Sequence, residues 1–275
     1  MTPTSSFDID SHYSLTPEEV DFYRTHGFIK LKEVLAPDVL AYYSREISAK
    51  VQELNEQHLP LEQRGTYSKA FLQVMNLWRH SEIVREFVFG KRLARIAAEL
   101  MEVSGVRIYH DQALYKEAGG GITPWHADQY YWPVSSDKTV TAWIPLQAIP
   151  KNMGPLAFSP GSQRLKFGRD LEIGDESEIK LSEALKSIPI VDEPFDLGEV
   201  SFHAGWTFHR AGANTSDRAR EVMTIIYIDE AMRLIEPRNK NQRTDWATWC
   251  PEAKVGEIID TPLNPVIWNR GCEGL

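Results

Sequence analysis

The chain has 275 residues, of which 42% are hydrophobic and 25% are charged, and its formal net charge is −9. This composition is typical of a folded globular protein and excludes a disordered chain. The acidic balance argues against nucleic acid and anionic membrane surfaces as partners, because both require a basic face. Two cysteines are too few for a disulfide framework, and no apolar run approaches the roughly 20 residues that span a bilayer. Since the N-terminus also lacks the pattern of a secretory signal, we expect a cytoplasmic protein.

The first elements are predicted to be a helix and a short strand. Residues 1–14 are interpreted as a loose leader. The segment 16–19, Thr-Pro-Glu-Glu, combines an N-cap threonine, a proline in the first turn and the glutamate of a capping box, which predicts the start of a helix. Gly27 is expected to end that helix, and residues 28–31 predict a strand.

Two further helical stretches are predicted before residue 103. The second helix begins at Ala36-Pro37-Asp38, and a third covers residues 82–101 with a break near Gly90. Apolar residues recur at helical spacing in the second helix, which indicates one buried face. They are Leu40, Tyr43, Ile47, Val51 and Leu54.

After residue 103 the pattern changes to strands. Four segments are rich in β-branched and aromatic residues, and clusters of Gly, Pro, Asn and Asp separate them. These predicted strands are residues 106–116, 139–147, 199–203 and 221–229. Residues 161–194 form a charged excursion without clear periodicity, which we interpret as a surface insertion. The tail from Glu236 is rich in proline and tryptophan and is expected to wrap over the core.

The predicted helices precede the predicted strands along the chain, and this order predicts an α+β fold. The expected core is a double-stranded β-helix (jelly-roll, cupin-like) with the N-terminal helices packed on it. We predict a single domain over residues 15–275. Within it, a helical part covers about 15–103, the β core about 104–230 and a C-terminal tail 236–275.

Two separated segments supply a candidate set of metal ligands. The segment Trp125-His126-Ala127-Asp128 offers an imidazole and a carboxylate two positions apart, and His209 follows much later. On a strand, alternate side chains share a face, so His126 and Asp128 can reach one metal. Two histidines and one carboxylate are the ligand set of non-haem iron(II) oxygenases, and they leave positions open for a bidentate co-substrate and O₂. Arg220 could then hold an acidic co-substrate.

Other interpretations of these residues stay open. A His-x-Asp pair is frequently a surface hydrogen bond, and a zinc-dependent hydrolase can use the same ligands. Aromatic residues near the candidate ligands suit an apolar pocket with a few polar groups, although they also suit a plain core. The candidate substrate-pocket wall comprises Tyr130, Tyr131, Trp132, Trp206 and Phe208. His203 is interpreted as structural, with a position at the border of the active site as its alternative.

Several motifs occur together in one order along the chain. They are Leu15-Thr16-Pro17-Glu18-Glu19-Val20 with Gly27-Phe28, His126-Ala127-Asp128, Thr141-Ala142-Trp143-Ile144-Pro145-Leu146, Met153-Gly154-Pro155-Leu156, Ser159-Pro160-Gly161-Ser162, and His209 with the segment 214–220. In this combination the chain resembles the phytanoyl-CoA dioxygenase family of iron(II)- and 2-oxoglutarate-dependent oxygenases. The resemblance covers most of the chain.

The resemblance implies His126, Asp128 and His209 as iron ligands. The family's 2-oxoglutarate arginine lies eleven residues after the distal histidine, which selects Arg220 over its rival Arg218. A guanidinium also suits a carboxylate because it can bind both oxygens at once. Three more residues are candidates for contacts with the co-substrate, with core or structural positions as their alternatives. They are Trp143, Gln112 and Gln73.

The implied function is hydroxylation of an unactivated C–H bond of a small organic molecule, such as a secondary metabolite or a lipid-like compound, with release of succinate and CO₂. Ferrous iron, 2-oxoglutarate and O₂ are the implied cofactor and co-substrates. The alternatives are desaturation, epimerisation or cyclisation at the same ligands, and a non-catalytic binding module on the same fold. Asp128 argues against halogenation, because related halogenases have a small residue at that position. Many relatives have glutamine at the position of Ala127. The sequence leaves the substrate and the oligomeric state undetermined.

Overall fold

The computed structural model describes residues 7–272, and residues 1–6 of the predicted leader lie outside them. Within this part the helices are α1 Pro17–His26, α2 Pro37–Leu54, α3 Thr66–Ala70, α4 Glu82–Val88, α5 Lys91–Met101, α6 Asp175–Leu185 and α7 Lys240–Trp249. The strands are β1 Phe28–Leu31, β2 Leu72–Met75, β3 Gly105–Tyr115, β4 Thr123–His126, β5 Thr139–Pro145, β6 Leu156–Phe158, β7 Val191–Asp192, β8 Val200–Ala204, β9 His209–Ala211, β10 Val222–Asp229 and β11 Val266–Asn269.

The strands form two antiparallel sheets. The major sheet has the order β1-β8-β5-β10-β3-β11, and β2 also pairs with β3. The minor sheet has the order β4-β9-β6-β7. A cavity between them is lined by residues of β3, β5 and β10 on one side and of β4, β6 and β9 on the other. The mixture of helices and antiparallel sheets agrees with the predicted fold class.

Helices α1, α2, α4 and α5 cover the outer face of the major sheet, whereas α3 contacts β4 and its Tyr67 lines the cavity. Strand residues alternate between the two faces. Ala142 and Ile144 of β5 belong to the core that the helices share, whereas Thr141 and Trp143 line the cavity. The sheet therefore separates a helix-packed hydrophobic core from a chamber with polar groups.

Capping residues in the sequence predicted the first helices correctly. Thr16 is the N-cap of α1, its side chain accepts from the backbone N–H of Glu19, and the capping box is complete. Gly27 ends the helix in the left-handed conformation at φ 79°, which a residue without Cβ adopts readily. The third predicted helical stretch is two helices, α4 and α5, separated near Gly90 as expected.

The interpretation of residues 161–194 as a patternless surface insertion was wrong. This segment contains α6, whose Leu181 and Leu185 pack against Trp125 and Phe208 in a buried cluster. Glu178 on the same helix accepts a hydrogen bond from the backbone N–H of Trp125 at 2.8 Å. Helix α6 therefore supports β4 from behind, directly before His126.

The tail packs on the β core, as predicted, with one element at an edge of the major sheet and one beside the minor sheet. Strand β11 pairs with β3, and α7 lies against the short 3₁₀ turn that follows β4. Among residues 7–272, no helix combines the length and apolar character needed to cross a membrane. The predicted boundaries of a single domain stay a prediction.

Candidate metal centre

Pairing of β4 with β9 brings the two candidate histidines together. His126 and His209 are direct partners in the antiparallel register, and their ring centroids are 4.1 Å apart. The expectation that His126 and Asp128 share one strand needs correction, because β4 ends at His126 and Asp128 opens a 3₁₀ turn. Ala127 between them is still extended, at φ −126° and ψ 130°. The two side chains therefore reach the same side despite the end of the strand.

One nitrogen or oxygen from each of the three residues can meet at a single point. The ligand atoms of His126, Asp128 and His209 all lie within 4.8 Å of one another. Asp128 Oδ1 is 3.6 Å from Nε2 of His126 and 3.6 Å from Nε2 of His209. These separations leave room for a cation between the donors, and the other side of that point opens into the cavity.

Backbone carbonyls fix the protonation of both imidazoles. Nδ1 of His126 lies 2.8 Å from the carbonyl of Pro124, and Nδ1 of His209 lies 2.9 Å from that of Thr207. A carbonyl can only accept, so each Nδ1 carries the proton and each Nε2 keeps a lone pair for a metal. Burial lowers the pKa of His126 to about 4, with His209 adding to the effect. Burial, followed by His203, also lowers the pKa of His209 to about 4, so both rings are neutral at neutral pH.

The second oxygen of Asp128 is held by two neighbours. Oδ2 accepts from the hydroxyl of Thr141 at 2.8 Å and lies 3.2 Å from Nε2 of His203. Thr141 and His203 are themselves register partners on β5 and β8. Burial acts to raise the pKa of the Asp128 carboxyl, but His209, His203 and His126 outweigh it and hold that pKa below its ordinary value. The carboxylate is thus ionised, with Oδ1 turned toward the histidines.

Arg220 is a buried cation without a carboxylate partner. Its side chain is 2% exposed, whereas its rival Arg218 is exposed. Nη1 donates to the carbonyl of Gly154 at 2.6 Å, and Nε is buried without an acceptor. Among the described residues, no aspartate or glutamate lies within ion-pair distance. Burial lowers the pKa of the guanidinium to about 9, which still leaves it charged at neutral pH. A buried charge of this kind requires an anion.

The remaining candidates for co-substrate contacts line the same cavity, which has a volume of about 240 Å³. The guanidinium of Arg220 lies 5.5 Å from the ring centre of Trp143. The amide of Gln73 donates to Oε1 of Gln112 at 2.5 Å and accepts from the hydroxyl of Tyr67 at 2.9 Å. The two glutamines therefore hold each other in place while they face the chamber.

A family model assigns the chain to a known protein family. The model for phytanoyl-CoA dioxygenase (PhyH) matches residues 23–222, which include all three candidate ligands and Arg220. The chain belongs to the phytanoyl-CoA dioxygenase family. A probable alpha-ketoglutarate-dependent hypophosphite dioxygenase of Stutzerimonas stutzeri is 22% identical over 217 residues, which are 74% of this chain and 76% of the relative.

Solved structures share the fold. The alpha-ketoglutarate-dependent carbocyclase SnoK from nogalamycin biosynthesis has a TM-score of 0.78 at 23% identity, over 92% of this chain and 97% of that one. The epimerase SnoN in complex with Fe3+, alpha ketoglutarate and nogalamycin RO has a TM-score of 0.75 at 24% identity, over 91% and 98%. The predicted family, jelly-roll fold class and dioxygenase class are therefore confirmed. The predictions of iron and 2-oxoglutarate as cofactors are confirmed for the family.

The structure of this family member separates the predicted pocket-wall residues into two groups. Tyr131 and Trp132 line the cavity. Tyr130, Trp206 and Phe208 do not, because successive residues of the 3₁₀ turn point in different directions and because Trp206 and Phe208 pack in a separate cluster with residues of α6. Tyr130 and Trp206 face a different groove, and Phe208 is buried against α6.

Several cavity residues were missed or ranked too low by reasoning from the sequence. Thr141 could have been found, because it lies two positions before Trp143 on one strand and shares its face. His203 lines the cavity and lies 3.2 Å from Asp128, which agrees with the alternative interpretation of a position at the border of the site. Asp245 and Trp249 come from the tail, and no pattern in the sequence indicates that the tail reaches the chamber.

Proposed function

We propose that the chain is an iron(II)- and 2-oxoglutarate-dependent dioxygenase that hydroxylates a C–H bond of a small organic molecule. The observation that supports this most is the presence, in one cavity, of a three-residue donor set and a buried arginine without an anionic partner. A zinc hydrolase would use the donor set but would leave Arg220 unexplained. A non-catalytic module would have no need to keep both.

The donor chemistry fits ferrous iron. Two neutral imidazoles and one carboxylate oxygen form the facial set, and the cavity side is free for further ligands. When bound, iron and 2-oxoglutarate supply the oxidising power by coupling O₂ reduction to formation of succinate and CO₂. His126, Asp128 and His209 hold the metal. Thr141 and His203 keep Asp128 turned so that one oxygen faces the metal and the other does not.

Arg220 binds the distal carboxylate of 2-oxoglutarate. The paired donors of a guanidinium match a carboxylate, and the apolar surroundings strengthen the attraction. Trp143 forms the wall beside this position, and Gln112 and Gln73 offer polar contacts to the co-substrate or to water. Enclosure by both sheets excludes bulk water, which limits unproductive oxidation.

Coupled turnover tests the assignment directly. With Fe(II), ascorbate and 2-oxoglutarate, the wild-type chain should form succinate, while His126→Ala should lose both turnover and tight Fe(II) binding. His80→Ala is the matched control, because His80 is exposed and lies outside the cavity. Wild-type activity in His126→Ala would contradict the ligand assignment. Tight zinc retention without succinate formation would favour the hydrolase.

The type of product distinguishes hydroxylation from its alternatives. Under ¹⁸O₂, hydroxylation places one labelled oxygen in the product, whereas desaturation, epimerisation and ring closure between existing groups place none. Relatives act on different small molecules, as the names of the hypophosphite dioxygenase and of the epimerase SnoN indicate. We therefore propose a small-molecule substrate, to be identified by screening metabolites for stimulated 2-oxoglutarate consumption.

A further inference from the structure

One wall of the chamber is built by the C-terminal tail. Asp245 and Trp249 are four residues apart on α7, so they share one helical face, and both line the cavity. Tyr67, Tyr131 and Trp132 complete this wall. Rings of this size offer flat apolar surfaces on which a planar molecule can stack.

His110 is a buried polar group on this wall that lacks a well-formed hydrogen bond. It lies on β3, is 4% exposed and lines the cavity. Its Nδ1 is enclosed beside the backbone of Asp111 without a partner in hydrogen-bonding geometry. Its ring lies 5.4 Å from the ring of Trp249, centre to centre. The enclosed Nδ1 is out of reach of a ligand, but no hydrogen bond of Nε2 is found among residues 7–272 either, so a ligand in the cavity can supply a partner for that nitrogen.

Asp245 provides a second polar group in the cavity, one helical turn before Trp249, whose ring lies 5.4 Å from that of His110. Its Oδ2 accepts a hydrogen bond from the hydroxyl of Tyr109, the residue next to His110, and no hydrogen bond of Oδ1 is found among residues 7–272. Burial raises the pKa of the Asp245 carboxyl to about 8, so it is largely uncharged at neutral pH. Burial likewise lowers the pKa of His110 to about 4, although Asp128 opposes this. The wall therefore presents two neutral polar groups.

The charges of the chamber exclude an anionic substrate. Arg220 is the one lysine or arginine among the described residues that line the cavity. If the proposed function holds, the distal carboxylate of 2-oxoglutarate occupies that cation. A carboxylate or phosphate on the substrate would then be buried without a partner, which is strongly unfavourable.

We propose that the chamber takes an uncharged, flat aromatic molecule whose hydroxyl group binds between His110 and Asp245 while its ring stacks on Trp249. A hydroxyl is both donor and acceptor, so it can satisfy an imidazole and a carboxyl at the same time. This proposal rests on the proposed function for the position of the co-substrate, and it makes His110 and Asp245 substrate-positioning residues.

The test uses the full chain with Fe(II) and 2-oxoglutarate in the absence of O₂, so that binding is measured without turnover. Calorimetric titration compares four probes of similar size: 1-naphthol, 1-naphthoate, 1-naphthylmethylammonium and decahydro-1-naphthol. We expect 1-naphthol to bind tightest, with 1-naphthoate at least tenfold weaker and the other two at least threefold weaker. Equal or tighter binding of the anion, the cation or the saturated alcohol would overturn the proposal.

Variants separate the polar contacts from general packing. His110→Phe keeps a ring against Trp249 but removes both nitrogens, and we expect 1-naphthol to bind roughly five- to tenfold more weakly, as for loss of one hydrogen bond. Asp245→Leu should have a similar effect, and Asp245→Asn should restore binding to within about threefold. Thr248→Ala, on the exposed side of α7, is the control and should bind like the wild type.

The 2-oxoglutarate titration distinguishes this proposal from the proposed function. All of these variants should bind 2-oxoglutarate as the wild type does, which also shows that they are folded. If the wild type fails to bind 2-oxoglutarate, the proposed function is wrong. If 2-oxoglutarate binds normally and His110→Phe binds 1-naphthol as tightly as the wild type, only the present inference is wrong.

Discussion

Replacing Thr141 by valine tests whether Thr141 fixes the orientation of the Asp128 carboxylate. Valine has nearly the same shape, so the substitution removes one hydroxyl and the 2.8 Å hydrogen bond to Asp128 Oδ2 while it keeps the packing of β5. A hydrogen bond to a charged group contributes about 1.5–3 kcal/mol. His203 still lies 3.2 Å from the same oxygen, so we expect the lower part of this range. That corresponds to roughly 10- to 30-fold weaker metal binding.

The measurement is equilibrium dialysis of Fe(II) without O₂, combined with denaturant unfolding of the metal-free chain. Thr139→Val is the matched control, because Thr139 is buried two positions earlier on the same face of β5 and donates to Gln129 instead of Asp128. Thr141→Ser should restore most of the affinity. The reasoning is refuted if Thr141→Val binds Fe(II) within twofold of the wild type, or if Thr139→Val weakens binding equally.

Three further predictions concern the co-substrate, the packing of α6 and a buried lysine. Arg220→Ala should raise the KM for 2-oxoglutarate by roughly 10- to 100-fold, since a charge-assisted contact is lost, whereas Arg218→Ala should leave the KM unchanged in the same steady-state assay. Leu181→Ala should lower the free energy of unfolding by about 2–5 kcal/mol in denaturant titrations, and Ile179→Ala, at a position 72% exposed, by less than about 0.5 kcal/mol. Burial lowers the pKa of Lys116 from 10.5 to about 6, and the charge of Arg220 adds to this effect. Between pH 6 and 10.5 the folded chain therefore binds fewer protons than the unfolded chain. Stability contributed at this site should therefore rise with pH from 8 to 10, and that rise should be missing in Lys116→Met.

The elements that the sequence predicted well are those set by nearby residues. The start and end of α1 depend on Thr16, Glu19 and Gly27, all within one short segment, so the pattern was sufficient. The spacing of His126 and Asp128 was also local, and extended Ala127 preserved their common direction even though the strand ended earlier than expected. The third candidate ligand, His209, was named from its residue type and supported by the family resemblance, and it lies opposite His126 in the sheet register.

The features that were missed depend on distant contacts. Helix α6 buries only Ser177, Leu181 and Leu185 among many charged residues, so its apolar face was too narrow to recognise without Trp125 and Phe208 against it. The placement of Asp245 and Trp249 in the chamber depends on how the tail folds back over β4 and β3, which no local pattern encodes. Tyr130 and Phe208 were included in the wall because they are aromatic and near the ligands in sequence, yet the backbone turns them away.

The contribution of α7 to the chamber has an evolutionary consequence. The match to the family ends at residue 222, whereas α7 spans Lys240–Trp249. In the proposed substrate site, Asp245 and Trp249 thus lie outside the stretch that supplies the candidate metal ligands, whereas His110, Tyr131 and Trp132 lie within it. Changes confined to α7 could alter that site while the metal ligands stay the same.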